Sequence, residues 1–536
     1  MDIKANQVNK VFAAWDKPDT PGCAIAVMKD NNIIFKGGYG IANLEYEIPI
    51  TPTTIFHIAS VSKQFTAMAI ALLADDGKIL LDDDIRKHVP EVPDFGETIS
   101  IRHIIHHTSG LRDQWDLLVL AGWRMDDVIT TADVLGLVER QKELSFKPGD
   151  EHLYSNTGYT LLAIIVERIS RKTFGQFCAE RIFKPLGMQN THFHEDHTQI
   201  VKNRAYSYTP KGDGFQHAVL SYAIAGATSL FSTVEDLALW EQNFYDAAVG
   251  GTAVIQQMHH QGVLNNGEQI NYAFGLASGM YKGLNFISHS GGDAGYKSYL
   301  MRIPTHQFSV AILGNLSTMN PPELAKRVAD IYLEDAFEEE VEQAIDKSPV
   351  IALSAAQLAS KAGIYYNADR EITYYLEMRD NKLTLVIGPG FVLEPLSEEL
   401  FQEAAYPQIK YKFATTEHGV CQFETSDGYG KPDTYVAVDS ANPSVEEMND
   451  YVGTYYSPEL DVRYTVILKD EKLILKRRKY GESSLLPTFR DGFIGDYMTE
   501  EGSGGLYIKF TRDEKGRLDG ISLSTGRVRG LLFMKQ

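Results

Sequence analysis

At 536 residues the chain is too long for a single hydrophobic core, so two to four domains are expected. Hydrophobic residues make up 44% and charged residues 23%, the balance of a globular protein that folds in water. A formal net charge of −20 argues against nucleic acid as a partner, because phosphate binding needs a basic field.

The N-terminus, MDIKANQVNKVFAAWDKPD, lacks the apolar core of a secretory signal, and no run of about 18 apolar residues occurs. No membrane span is expected. A cytoplasmic location is predicted, or a periplasmic or secreted one if a leader has been removed. Cys23, Cys178 and Cys421 are far apart and odd in number, so neither a disulfide framework nor a CxxC metal site follows.

A short helix opens the chain. CAIAVM (Cys23 to Met28) and IIFKGG (Ile33 to Gly38) read as two strands joined by a turn at Asp30, Asn31 and Asn32. FHIASVSKQFTAMAIALL (Phe56 to Leu73) predicts a helix that starts at Ser60 and stops at Gly77. From there to about Gly275 the pattern is mainly helical, including TGYTLLAIIVERISR (Thr157 to Arg171). Strands return at NFISHS (Asn285 to Ser290), YKSYLMRI (Tyr296 to Ile303) and FSVAILGN (Phe308 to Asn315), and PPELAKRVADIYL (Pro321 to Leu333) is a closing helix. Strands that bracket a helical insertion predict one sheet shared by the first and last strand groups. The acidic, helix-like LEDAFEEEVEQAIDK (Leu333 to Lys347) reads as a linker with a solvated face.

The tail from about Val350 alternates in strand fashion and repeats itself. AGIYYN (Ala362 to Asn367) is echoed by VGTYYS (Val452 to Ser457), and RDNKLTL (Arg379 to Leu385) by KDEKLIL (Lys469 to Leu475). Gly363 and Gly453, Tyr365 and Tyr455, and Lys382 and Lys472 are each 90 positions apart. A constant offset predicts two tandem antiparallel β-barrels of lipocalin-like type, each closing its own edges. The expected organisation is a first domain over 1–335, a linker over 336–350, and barrels over 351–440 and 441–536.

Three stretches could carry chemistry. Ser60 and Lys63 are the only S-x-x-K in the chain; on a helix they lie one turn apart on one face, within hydrogen-bond reach. A serine hydroxyl is a poor nucleophile until a base takes its proton, and a helix N-terminus favours a developing oxyanion. The bland reading is an exposed helix start with a solvated lysine. EHLYSNTGYTLL places Tyr154 and Asn156 just before a helix. A tyrosine beside a cation can act as acid or base, and an asparagine can donate and accept at once. The bland reading is a loop tyrosine and a helix cap. HSGGDAGYKSYL puts His289 on a strand before Gly291 and Gly292, which allow close backbone approach; the alternative is a hairpin glycine pair beside a surface histidine.

Their order and setting decide. S-x-x-K opening a helix, Y-x-N before another, and H-x-G on a strand resemble the serine β-lactamase and penicillin-binding protein superfamily, within it the class C β-lactamase, DD-peptidase and D-aminopeptidase group. IRHIIHHTSGL, FKPGDEHLYSNTGY and IFKPLGMQNTHF agree, and the resemblance covers roughly residues 5–335. It implies an α+β fold, an α/β sandwich with a helical subdomain, ahead of the two barrels. It implies Ser60 as the acylated nucleophile, with Lys63 and Tyr154 sharing the base work and Tyr154 giving a proton to the leaving group. It also implies Asn156 on the substrate carbonyl, and an oxyanion hole from the amides of Ser60 and Gly292. Gln114 is matched to a substrate-contacting glutamine of the class C enzymes, although its flanks, RDQW, differ. No cofactor is implied.

One departure matters. The chain has no K-[ST]-G, and His289 stands where that lysine would be. A permanent cation is replaced by a group mostly neutral at pH 7, which predicts weakened recognition of a free substrate carboxylate and little β-lactam turnover. Histidine here is a feature of the D-aminopeptidases and related esterases, as the resemblance implies. The expected function is therefore a serine hydrolase for D-amino-acid peptides or amides. A carboxylesterase or weak β-lactamase is the alternative, and a sensor that keeps the fold without turnover is the third reading. The expected partner is a small-molecule or short-peptide substrate, with a homodimer through the C-terminal domains left open. Asp293 is a candidate partner for a substrate amine or a turn residue. HFHEDH (His192 to His197) clusters three histidines with two acids, but its spacing is not that of a zinc helix and no metal is expected.

Overall fold

The computed structural model describes residues 3–337, 349–386, 390–407, 409–426, 431–499 and 502–536. Six strands form the sheet of the first domain: β1 (Cys23–Lys29), β2 (Asn32–Tyr39), β3 (Ala277–Tyr281), β4 (Leu284–Asp293), β5 (Tyr296–Ile303) and β6 (Phe308–Gly314). Their order is β3-β4-β5-β6-β1-β2, antiparallel throughout, so the two ends of the domain share one sheet. Alternation along β1 explains its two faces. Cys23, Ile25 and Val27 pack with helices α1 (Ile3–Phe12) and α5 (Pro321–Leu333), while Ala24, Ala26 and Met28 face the helical side.

On that helical side α2 (Ser62–Asp75) is buried from Ser62 to Leu73. Its sequence is apolar nearly all round, which suits a helix enclosed by other elements rather than one lying on a surface. It packs on α4 (Asn156–Ser170), and α3 (Gln114–Leu120) lies nearby. Ser60 itself precedes α2, in a 3₁₀ turn over Ala59–Val61. The helix therefore starts two residues later than the apolar pattern predicts. Short strand pairs also interrupt the helical stretch, such as Tyr208–Lys211 with Gly214–His217.

Two closed eight-stranded antiparallel barrels follow, the first from Gly363 to Val438 and the second from Gly453 to Lys535. The repeat in the letters is a repeat in the contacts. Tyr365 donates to the Lys361 carbonyl at 2.9 Å, and Tyr455 to the Tyr451 carbonyl at 2.7 Å. Matching hairpins turn through left-handed residues at Asp380 and Asn381 and at Asp470 and Glu471. A serine-capped helix precedes each barrel, at Ser354 and Ser444. The acidic linker expected over 336–350 falls mostly outside the described residues. No described helix is long and apolar enough to cross a membrane.

The second barrel is not a separate bead. Its interior residues Tyr464, Leu475 and Phe533 belong to the same buried cluster as Leu117, Leu118 and Leu120 of α3. Arg112 and Glu459 pair across this junction at 2.5 Å, both buried. The first barrel has a core cluster made only of residues from its own region.

Candidate active site

Ser60 is presented by a strained turn. Ala59 has φ of +48°, a left-handed conformation that costs a residue with a side chain about 1 kcal/mol or more. Hydrogen bonds hold it from both sides: its N–H donates to His57 Nδ1 at 3.2 Å, and its carbonyl accepts from the Ser62 hydroxyl at 2.5 Å. Strand β4 passes directly alongside. Its pairing with β3 ends where Ala277 faces Ser288, so His289 to Asp293 continue past that neighbour toward the Ser60 turn. Any side chain at Gly291 would meet the Ile58 carbonyl oxygen at 2.4 Å and Ser298 Oγ at 2.3 Å, which explains the glycine. Ser298 in turn donates to the Ile58 carbonyl at 2.7 Å, fastening the sheet to the turn. Gly292 follows, opposite Lys297 of β5.

Lys63 is fully buried at the start of α2. Its ammonium donates to Ser60 Oγ at 3.0 Å, to Asn156 Oδ1 at 2.7 Å and to the Ala227 carbonyl at 2.7 Å. A buried cation needs such acceptors. Asn156 can offer Oδ1 because its other end is fixed: its backbone N–H and its Nδ2 both donate to Asp113 Oδ2, at 2.6 and 2.8 Å. Asp113 Oδ1 meanwhile caps α3 by accepting from Trp115 N–H. Asp113 thus orients Asn156 toward Lys63, a role the sequence reading missed; an aspartate just before a helix was the available signal.

Tyr154 lies between cations. Lys63 Nζ is 4.7 Å from its ring centre and the Arg527 guanidinium 5.4 Å. His107 packs against the same ring at 4.2 Å and accepts from the Ser155 N–H, fixing the loop. Burial first, with the Lys63 and Arg527 charges adding to it, holds the His107 imidazole well below its ordinary range. His289 is also neutral. A carbonyl can only accept, so Nδ1–H donates to the Ser290 carbonyl (2.6 Å) and Nε2 accepts from the Tyr272 hydroxyl (3.0 Å). Burial, with the Lys63 charge, pushes His289 down to about 3. Ser60, Lys63, Tyr154 and Asn156 therefore meet around one ammonium, with His289 6.2 Å from Tyr154 between ring centres.

The protein-family model for Beta-lactamase matches residues 8–333. The chain belongs to the Beta-lactamase family. A D-aminopeptidase of Gluconobacter oxydans (strain 621H) is 26% identical over 296 residues, covering 55% of this chain and 56% of that protein. The chain thus aligns with little more than half the length of that relative. A D-aminopeptidase of Brucella anthropi is 23% identical over 541 residues, covering 96% of this chain and 95% of that one, so likeness to it extends through the barrels. The octameric penicillin-binding protein homologue from Pyrococcus abyssi matches in fold with a TM-score of 0.56 at 24% identity, over 81% of this chain and 100% of its own.

The remaining sequence candidates have definite places in this Beta-lactamase-family domain. Gln114 is buried, and its Oε1 accepts from the Thr160 hydroxyl at 2.8 Å, tying α3 to α4. Asp293 is buried and accepts from the Thr228 hydroxyl at 2.5 Å, 3.9 Å from His57 Nε2. His192 stacks on Phe231, His194 packs on the same ring, and Glu195 accepts from the Gly175 N–H. Among the described residues no group of three or more His, Cys, Asp or Glu is placed to hold a metal ion.

Proposed function

We propose that the chain is a serine hydrolase that forms an acyl-enzyme on Ser60 and cleaves short peptides or amides whose acyl part is a D-amino acid. The hydrogen bond between Lys63 and Ser60, inside a buried cluster completed by Asn156 and Tyr154, carries this reading. Ser60 Oγ attacks the scissile carbonyl as its proton passes to the Lys63–Tyr154 pair. Lys63 donates to Ser60, Asn156 and Ala227 and as an ammonium cannot take that proton, so the acceptor in this scheme is the Tyr154 oxygen, deprotonated before attack, on a ring flanked by Lys63 and Arg527. The oxyanion lies at the amides of Ser60 and Gly292. Tyr154 returns the proton to the leaving nitrogen, the C–N bond breaks, and water then hydrolyses the Ser60 ester by the same path in reverse.

The D-amino-acid preference is supported by the two relatives named as D-aminopeptidases, one of them alignable over nearly the whole chain. The test is intact mass after incubation with a fluorophosphonate, together with rates on D- and L-alanine p-nitroanilide. Mass gain and turnover are expected to vanish in Ser60→Ala, and the D-substrate to be favoured by about tenfold or more. Turnover that survives in Ser60→Ala rejects the reading. Self-association through the barrels is a further proposal, supported by the homologue described as octameric; a monomer mass by light scattering rejects it.

A further inference from the structure

The turn between β7 (Leu518–Thr525) and β8 (Val528–Lys535) of the second barrel reaches the site. Its backbone is clamped to the segment that carries Asp113. The Arg527 carbonyl accepts from Asp113 N–H at 3.3 Å, and Arg527 N–H donates to Asp116 Oδ2 at 3.1 Å. Arg112 donates to the Arg529 and Gly530 carbonyls at 2.8 and 3.2 Å while pairing with Glu459. Arg529 is spent on Glu151, in a two-pronged pair at 3.2 and 3.0 Å. What this fixed turn delivers is the Arg527 guanidinium, half-buried and 5.4 Å from the centre of the Tyr154 ring.

We infer that Arg527 sets specificity on the leaving-group side, by taking the carboxylate of the amino acid that departs. The inference rests on the reading of Tyr154 as the proton donor to the leaving nitrogen. A guanidinium over that ring stands next to whatever is attached to the same nitrogen. In a leaving amino acid the α-carboxylate is two bonds away, and a planar fork of N–H groups matches it. Neither His289 nor Lys63 supplies the charge: His289 is neutral and locked between Tyr272 and the Ser290 carbonyl, and the Lys63 hydrogens face Ser60, Asn156 and Ala227. Arg527 has further contacts of its own, and a substrate carboxylate would share its guanidinium with them. The cation that the third motif lacks thus comes from a barrel more than two hundred positions away, and the preferred substrates are D-aminoacyl amino acids with a free carboxylate rather than their amides.

The experiment compares kcat/KM for D-alanyl-alanine and D-alanyl-alaninamide in the full chain and in Arg527→Gln and Arg527→Lys. The wild type is expected to favour the acid by about ten- to hundredfold, the span of a charge-assisted hydrogen bond. Arg527→Gln brings that ratio near one, and Arg527→Lys falls between. A second arm does not depend on the acyl group: acyl-enzyme made from p-nitrophenyl acetate is captured by alanine or by alaninamide, and the capture ratio shifts toward the amide in Arg527→Gln. A ratio near one in the wild type, or the same ratio in Arg527→Gln, overturns the inference. If ester acylation of Ser60 and the capture shift persist while no D-alanyl peptide is cleaved, the D-amino-acid reading fails and the carboxylate inference stands.

Discussion

Asn156 can face Lys63 only because Asp113 holds both its backbone and its amide nitrogen. Asp113→Ala leaves those donors buried without an acceptor and frees the Asn156 amide to turn. The expected result is a kcat lower by about tenfold to a hundredfold with a smaller change in KM, and partial rescue in Asp113→Asn; equal losses in both parameters would mark a binding role instead. Three buried histidines near this cluster share another property. His57, His107 and His289 each have a ring nitrogen that accepts a hydrogen bond, from Ala59 N–H, Ser155 N–H and the Tyr272 hydroxyl. Protonation would break those bonds, and burial lowers all three, His289 to about 3. In the unfolded chain they protonate near 6.5, so below that pH the unfolded state binds more protons. Stability from these groups is complete above pH 6.5 and is lost as pH falls below it, by about 1.4 kcal/mol per pH unit for each histidine that stays neutral when folded, which for His289 continues to about 3. Urea denaturation between pH 4.5 and 7 is expected to show His289→Asn with a shallower acid loss than the wild type, by about one proton; parallel curves would mean that His289 is charged when folded.

The elements of the sheet and the repeat were legible because their signals are local. The short apolar run CAIAVM ahead of the Asp30–Asn32 turn marked β1, and the offset of Tyr365 and Tyr455 marked two barrels, since each tyrosine bonds a carbonyl only four residues back. The S-x-x-K spacing was legible for the same reason, yet the element around it was not quite the one expected. Apolar periodicity carries no mark of the left-handed Ala59, so Ser60 was placed in the helix rather than in the turn ahead of it. Gln114 shows what a resemblance leaves out. A resemblance assigned it a substrate contact, while the fold ties it to Thr160, and its neighbour Asp113 is the residue bonded to Asn156. Arg527 could not be found at all, because nothing in TGRVRG indicates that a hairpin of the last barrel meets the loop of Tyr154.

For the molecule as a whole the decisive fact is that the second barrel and the first domain share a core, whereas the first barrel has its own. Heating is therefore expected to give two calorimetric transitions: one for the first domain with the second barrel, the other for the first barrel. The Arg112–Glu459 pair separates this from a picture of three independent beads. Arg112 is buried, and its carbonyl accepts from Thr157 of α4 at 2.7 Å, so the residue that anchors the barrel adjoins both Asp113 and the helix of Asn156. Glu459→Ala leaves that guanidinium buried without its carboxylate, a loss of about 3–5 kcal/mol, whereas replacing both partners by apolar residues of similar size costs far less. In Glu459→Ala the shared transition is expected to move down by several degrees while the first barrel's stays in place, and turnover to fall because the 525–530 hairpin no longer braces Asp113. If the second barrel instead melts alone, ahead of a first domain that keeps its transition and its activity, then the barrel is an appendage and the site is complete without it.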